Sequence, residues 1–241
     1  MIGIIGAMEE EVTLLRGMID DLHENKWGGM EFYTGKLHQK EVVLVRSRIG
    51  KVNAASATTL LFLEYKPAWV INTGSAGGLL SQVQRFGDVL IPDHLAHHDV
   101  DVTAFGYRPG QVPGQEPQFE ANKFLVEQAE KVMESLVQEG VFPPATRHHR
   151  GLLVSGDSFI ANLEQVTQIK KRFPEAVAVE MEAAAIAQVC TNFGIPFVVT
   201  RALSDIAGVE SPMTFAEFLP IAASRSAAMV ERLVKEVQEV A

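Results

Sequence analysis

Cysteine is almost missing from this chain: Cys190 is the only one in 241 residues. One thiol cannot build a disulfide framework, and Cys190 lies in an apolar helical stripe, which reads as a small buried hydrophobe rather than a nucleophile. Positive charge is also short, with 21 Lys and Arg against 30 Asp and Glu and a net charge of −9. Such a surface offers no basic field to phosphate backbones, so nucleic acid and anionic membranes are not expected partners. No apolar run approaches a membrane span. The start Met1-Ile2-Gly3-Ile4-Ile5-Gly6 lacks the basic n-region of a signal peptide, and a reducing cytoplasm is the expected compartment. Three signatures are absent as well: the G-x-G-x-x-G dinucleotide fingerprint, the G-x-x-x-x-G-K-[ST] phosphate cradle and the G-x-S-x-G nucleophile elbow. Dinucleotide binding, triphosphate binding and a Ser-His-Asp triad therefore have no support.

What is present suits a single α/β domain, since 47% of the residues are hydrophobic, enough for an ample core. Short apolar runs at 2–5, 42–45, 69–72, 89–91, 152–154, 176–179 and 197–200 read as strands, alternating with helical patterns near 52–63, 121–136 and 218–240. This rhythm predicts a three-layer α/β/α fold around a mixed, mostly parallel twisted sheet. Ligands in such folds bind outside the carboxyl ends of the strands, and acids gather there: Glu9-Glu10-Glu11, Glu180-Met181-Glu182 and Ser204-Asp205.

Helical periodicity, about 100° per residue, sorts the first two groups. In a helix over 8–19 centred on Leu15, Glu11 shares the apolar face with Val12, Met18 and Ile19, while Glu9 and Glu10 point away. In a helix over 180–193 centred on Ile186, Glu182 joins Val189, Cys190 and Phe193, while Glu180 turns outward. An inward carboxylate among apolar neighbours has an easily shifted pKa. Capping of a helix start explains the same positions equally well.

The glycine-rich element Asn72-Thr73-Gly74-Ser75-Ala76-Gly77-Gly78 lets backbone approach a ligand or makes a tight turn. Ser155-Gly156-Asp157-Ser158-Phe159-Ile160 also follows a strand, with Phe159 either against a planar ligand or in the core. His94, His97, His98, Asp99 and Asp101 lack any recognised metal spacing and read as polar loop residues, so no metal is expected. The Pro-Gly punctuation of 106–117 marks a long loop, either a functional contact or a surface excursion, and 140–150 is a second, Pro-rich one.

Taken together and in order, Gly6-Ala7-Met8-Glu9-Glu10-Glu11, the 72–78 element, Asp101-Val102-Thr103-Ala104-Phe105-Gly106-Tyr107, Val154 to Ile160, Val179-Glu180-Met181-Glu182-Ala183 and Arg201-Ala202-Leu203-Ser204-Asp205 closely resemble the bacterial 5′-methylthioadenosine/S-adenosylhomocysteine nucleosidases of the purine nucleoside phosphorylase and nucleosidase superfamily. The resemblance implies hydrolysis of an N-glycosidic bond, releasing adenine and a 5-substituted ribose without cofactor or metal. It implies that Glu11 activates water, Glu182 holds the ribose hydroxyls and Asp205 protonates purine N7. It further implies that Met8, Ile49, Ser75, Ala76, Gly77, Phe159, Ile160, Met181, Arg201, Ser204 and Phe215 contact the substrate. Val102, Phe105 and Pro113 would reach the alkylthio pocket of a partner subunit in a homodimer. Rival readings are a phosphorylase of the same superfamily, disfavoured because three acids after Gly6-Ala7-Met8 repel a phosphate dianion and no arginine stands there, a futalosine or other purine nucleoside hydrolase sharing Glu11 and Glu182, and a non-catalytic nucleoside sensor, which has no use for the full carboxylate set.

Overall fold

β-branched and apolar residues that need cover on both faces set the centre of the molecule. Strand β1 (Ile2–Gly6) is buried along its whole length and lies between β4 (Lys40–Arg46) and β5 (Trp69–Gly78), parallel to both. The structure, a computed structural model, describes residues 1–207 and 215–238, the side chains of 215 and 216 excepted.

In chain order β1 leads to α1 (Glu9–Arg16), then to the antiparallel run β2 (Asp20–Trp27), β3 (Met30–Leu37) and β4, and to α2 (Lys51–Tyr65) and β5. Next come β6 (Val89–Leu90), β7 (His94–His97), β8 (Phe119–Glu120) and α3 (Lys123–Gln138). The chain continues through β9 (His148–His149), β10 (Leu152–Ser155), α4 (Leu163–Arg172), β11 (Ala176–Glu180), α5 (Ala183–Phe193), β12 (Phe197–Ile206) and α6 (Phe215–Glu236). One mixed sheet has the order β2-β3-β4-β1-β5-β11-β10-β7-β8, and β12 joins β5 to β6 and β9. Its centre is parallel, as is the β6–β9 pair, while the β2–β3–β4 and β7–β8 edges and the β11–β5 and β12–β6 contacts are antiparallel. Helices α1, α3 and α6 pack together, and α2 packs on α5, which gives the expected three-layer α/β/α arrangement.

Strand β5 creates the site. Its first half, Trp69–Asn72, pairs with β1, but its end, Gly77 and Gly78, pairs with β11, while β12 accompanies it throughout. Between Asn72 and Gly77 one edge of β5 has therefore lost β1 and not yet gained β11. A cleft opens where the neighbours change, the place where open α/β sheets take ligands.

Several expectations are corrected here. The glycine-rich element is not a tight turn: it is the second half of β5, and β12 runs on past residue 200 to Ile206, so Asp205 lies inside it, next to an irregularity between Leu203 and Asp205. Helix α1 stops at Arg16, so Met18 is 42% exposed instead of facing the core. Phe193, the last residue of α5, is 45% exposed and leans on Phe62 at a centroid distance of 5.1 Å. The exposed strand β2 and helix α4 were not anticipated at all.

Candidate active site

Glu11 sits in the first turn of α1, and its carboxylate turns back on the chain that delivers it. One oxygen accepts from the amides of Ala7 (2.8 Å) and Met8 (3.0 Å), and the other from the amide of Ser75 on β5 (3.3 Å). Satisfying first-turn amides is the capping chemistry expected of such a residue, yet Glu11 is only 3% exposed and reaches the open edge of β5. Burial raises its pKa, opposed by those N–H groups and by the charge of Arg201. Gly74 is what admits it: a Cβ there would stand 2.9 Å from Glu11 Oε1.

The second acidic group divides differently from its helical reading. Glu180 is the last residue of β11, not part of a helix, and it is buried, because strand geometry aims it inward. Its carboxylate accepts from the amides of Glu182 (3.1 Å) and Ala183 (3.0 Å), from the Ser155 hydroxyl and from Arg201 (2.9 Å). Glu180 therefore caps α5, which frees Glu182 from that task. Glu182, at the N-cap position and 8% exposed, takes one donor from across the cleft, the amide of Gly50 at 2.8 Å. Burial, reinforced by the neighbouring Glu180 charge, pushes its pKa up to about 8.

Arg201 on β12 is 2% exposed and donates to Asn72 Oδ1 (2.6 Å), Glu180 and the Thr200 carbonyl (3.1 Å). It is the buried countercharge for a site that would otherwise hold only acids. Asp205 accepts from the Ser204 hydroxyl at 2.8 Å, and burial again raises its pKa against that bond. Its Oδ2 lies 3.3 Å from where a Cβ on Gly77 would be. Glu11 and Asp205 thus both stand against β5, at Gly74 and Gly77.

These groups share one cleft, lined also by Met8, Ile49, Ser75, Ala76, Gly77, Phe159, Ile160, Met181 and Ser204. Ile160 is buried, whereas Ile49 and Phe159 are 50% and 60% exposed. Phe215 lies outside the described residues as far as its side chain is concerned. Val102, Phe105 and Pro113 do not line this cleft; Phe105, in a short 3₁₀ turn, is 81% exposed. Sequence reasoning missed Glu180, Asn72, Ser155 and the Gly50 amide as parts of the site. For Glu180 the signal was available, since a residue ending a buried strand cannot follow helical periodicity. The His94 to Asp101 group is dispersed: His94 contacts Asp93, His97 contacts Gln188, and Asp99 contacts Lys51.

The chain that builds this cleft belongs to the phosphorylase superfamily, whose family profile matches residues 1–235. The 5′-methylthioadenosine/S-adenosylhomocysteine nucleosidase of Tolumonas auensis is 50% identical over 98% of this chain and 99% of its own. Within the superfamily this chain accordingly belongs to the 5′-methylthioadenosine/S-adenosylhomocysteine nucleosidase family. Two solved structures agree. The Neisseria meningitidis nucleosidase in complex with methylthio-immucillin-A superposes with a TM-score of 0.91 at 47% identity, covering 98% of this chain and 99% of that one. The Colwellia psychrerythraea nucleosidase in complex with adenine gives 0.91 at 42% identity, covering 99% and 97%.

Proposed function

We propose that this enzyme hydrolyses the N-glycosidic bond of 5′-methylthioadenosine and S-adenosylhomocysteine, and of 5′-deoxyadenosine, yielding adenine and the 5-substituted ribose. The observation that carries the reading is that Glu11, Glu182 and Asp205 meet in one cleft, each with its pKa raised by burial. Adenine leaves poorly as an anion, so an acid must share a proton with N7 as the bond breaks, and that acid must still hold its proton near neutrality. Burial moves the Asp205 pKa upward, the direction such an acid needs. As the bond lengthens the sugar gains oxocarbenium character, and buried carboxylates stabilise that cation more than the neutral ground state. Glu11, oriented by three amides, is read as the base for the attacking water, and Glu182, with one amide donor, as acceptor for the ribose hydroxyls.

The surroundings fit the same chemistry. Phe159 offers a ring face to adenine, Ile160 backbone to its polar edge, and Met181 an apolar floor beneath the sugar. Val102, Phe105 and Pro113, outside this cleft, are read as contributions to the alkylthio pocket of a second subunit in a homodimer. Among the described residues no helix is long and apolar enough to cross a membrane; with its one buried thiol, the enzyme is read as working in the cytoplasm.

The test is incubation of the purified protein with 5′-methylthioadenosine, with and without phosphate, and identification of both products by mass. Adenine and methylthioribose without phosphate are expected. Methylthioribose-1-phosphate formed only with phosphate would overturn the hydrolytic role of Glu11, and binding without any product would replace the enzyme reading by a sensor.

A further inference from the structure

Helix α2 begins without a cap of its own, since its N-cap residue is Gly50 and its first turn holds no acid. Two carboxylates from elsewhere in the chain fill that role: Glu182 accepts from the Gly50 amide and Asp157 from the Lys51 amide, each at 2.8 Å. Asp157 is itself anchored. Its amide donates to Asp99 Oδ2 at 3.0 Å, and Asp99 Oδ1 pairs with the ammonium group of Lys51. Lys51, Asp157 and Asp99 therefore close a ring in which each residue holds the next. Gly50 has φ of 96°, and a Cβ on it would stand 3.1 Å from Asp157 Oδ1, so only glycine lets the carboxylate come this close while its own N–H points at Glu182. The ring joins two walls of the cleft, with Ile49 on one and Ser158, Phe159 and Ile160 on the other.

We infer that Asp157, fixed by Asp99 and Lys51, is a positioning residue that locks the start of α2 against the segment after β10 and so keeps the Gly50 N–H aimed at Glu182. The inference rests on the nucleosidase reading, in which Glu182 works on the sugar. The charges that face Glu182 are Glu180, Arg201 and Glu11, and the hydrogen bonds that hold them lie outside the ring. Loosening the ring removes one donor from Glu182 and leaves those charges in place.

Asp157→Ala and Asp157→Asn separate positioning from mere packing, because the amide keeps an Oδ1 acceptor for the Lys51 N–H and alanine does not. The measurements are kcat and KM for methylthioadenosine across pH, and amide hydrogen exchange at Gly50 and Lys51. The pH limb belonging to Glu182 is first identified as the one missing from the residual activity of Glu182→Gln. In Asp157→Ala we expect kcat to fall about tenfold or more with a smaller change in KM. The Glu182 limb should move to higher pH, since its carboxylate has lost a donor, and exchange at both amides should accelerate. Asp157→Asn should restore most of all three. An Asp157→Ala enzyme with unchanged kcat, limb and exchange would overturn the proposal, as would equal losses in both variants with an unmoved limb. A Glu182→Gln enzyme as active as the parent would instead sink the role of Glu182 on the sugar, and amide exchange would still report whether the ring holds α2.

Discussion

At the residue scale the site depends on how each carboxylate is solvated. Three acids with similar intrinsic pKa values are given different surroundings: Glu11 has three amide donors, Glu182 one amide and a neighbouring negative charge, and Asp205 a single hydroxyl. Asp205, whose anion is met by one hydroxyl and no amide, is the acid suited to carry a proton to a leaving group. Asp205→Asn should therefore lower kcat for adenine release by about 10²- to 10⁴-fold, the usual contribution of a general acid, with a far smaller change in nucleoside affinity. A variant turning over like the parent would mean that N7 is protonated by another group. Glu11→Gln keeps the shape and one acceptor oxygen but removes the base, so turnover should vanish while calorimetry still detects adenine nucleoside binding. Near-normal rates in that variant would end the water-activation role.

At the scale of elements, the strand that changes partners does most to build the cleft, and here reading the sequence had mixed success. The buried runs that became β1, β4, β10 and β11 are plain, because residues covered on both faces leave uninterrupted apolar stretches. Helix α3 and the last helical pattern, with Met229, Leu233 and Val237 buried on one face, are plain because apolar residues recur at helical spacing. The second half of β5 is not: Gly74, Gly77 and Gly78 imitate a loop by composition, and their extended conformation is imposed by β12 alongside. The exposed strand β2 shows no apolar alternation, and only the Gly28-Gly29 dipeptide between Trp27 and Met30 signals its hairpin. Glu11, Glu182 and Asp205 could be named from motifs, but Glu180 was misdirected by applying helical periodicity to the end of a strand. The role of Gly74 yields a test at this scale. In Gly74→Ala the new methyl group would meet the Glu11 carboxylate 2.9 Å away, and Glu11 must shift away from Ser75 and the cleft. Activity should fall by at least about tenfold, the range known for small misplacements of a reacting group, in a protein whose circular dichroism is unchanged. Full activity in Gly74→Ala would show that the Glu11 position is not set by this contact.

At the scale of the whole molecule, the cleft should weaken the fold that carries it. Burial and the Glu180 charge hold the Glu182 pKa at about 8 in the folded protein against 4.5 as its ordinary value. Between these two pH values the folded state binds more protons than the unfolded chain, so stability falls as pH rises through the window, reversing the usual behaviour of a paired acid. Glu182→Gln abolishes this titration, and an amide oxygen can still accept from the Gly50 N–H. Its stability relative to the parent should thus grow steadily from pH 5 and level off above about pH 8, reaching on the order of a few kcal/mol. Glu11 and Asp205, also raised by burial, titrate in both proteins and largely cancel in the difference. Urea unfolding of the two proteins at a series of pH values measures it directly. A gap that stays constant with pH would mean that Glu182 is ionised in the empty cleft at neutral pH. A gap that widens as predicted would show the protein bearing a buried, poorly compensated acid in its resting state, a cost relieved only when positive charge develops on the bound sugar.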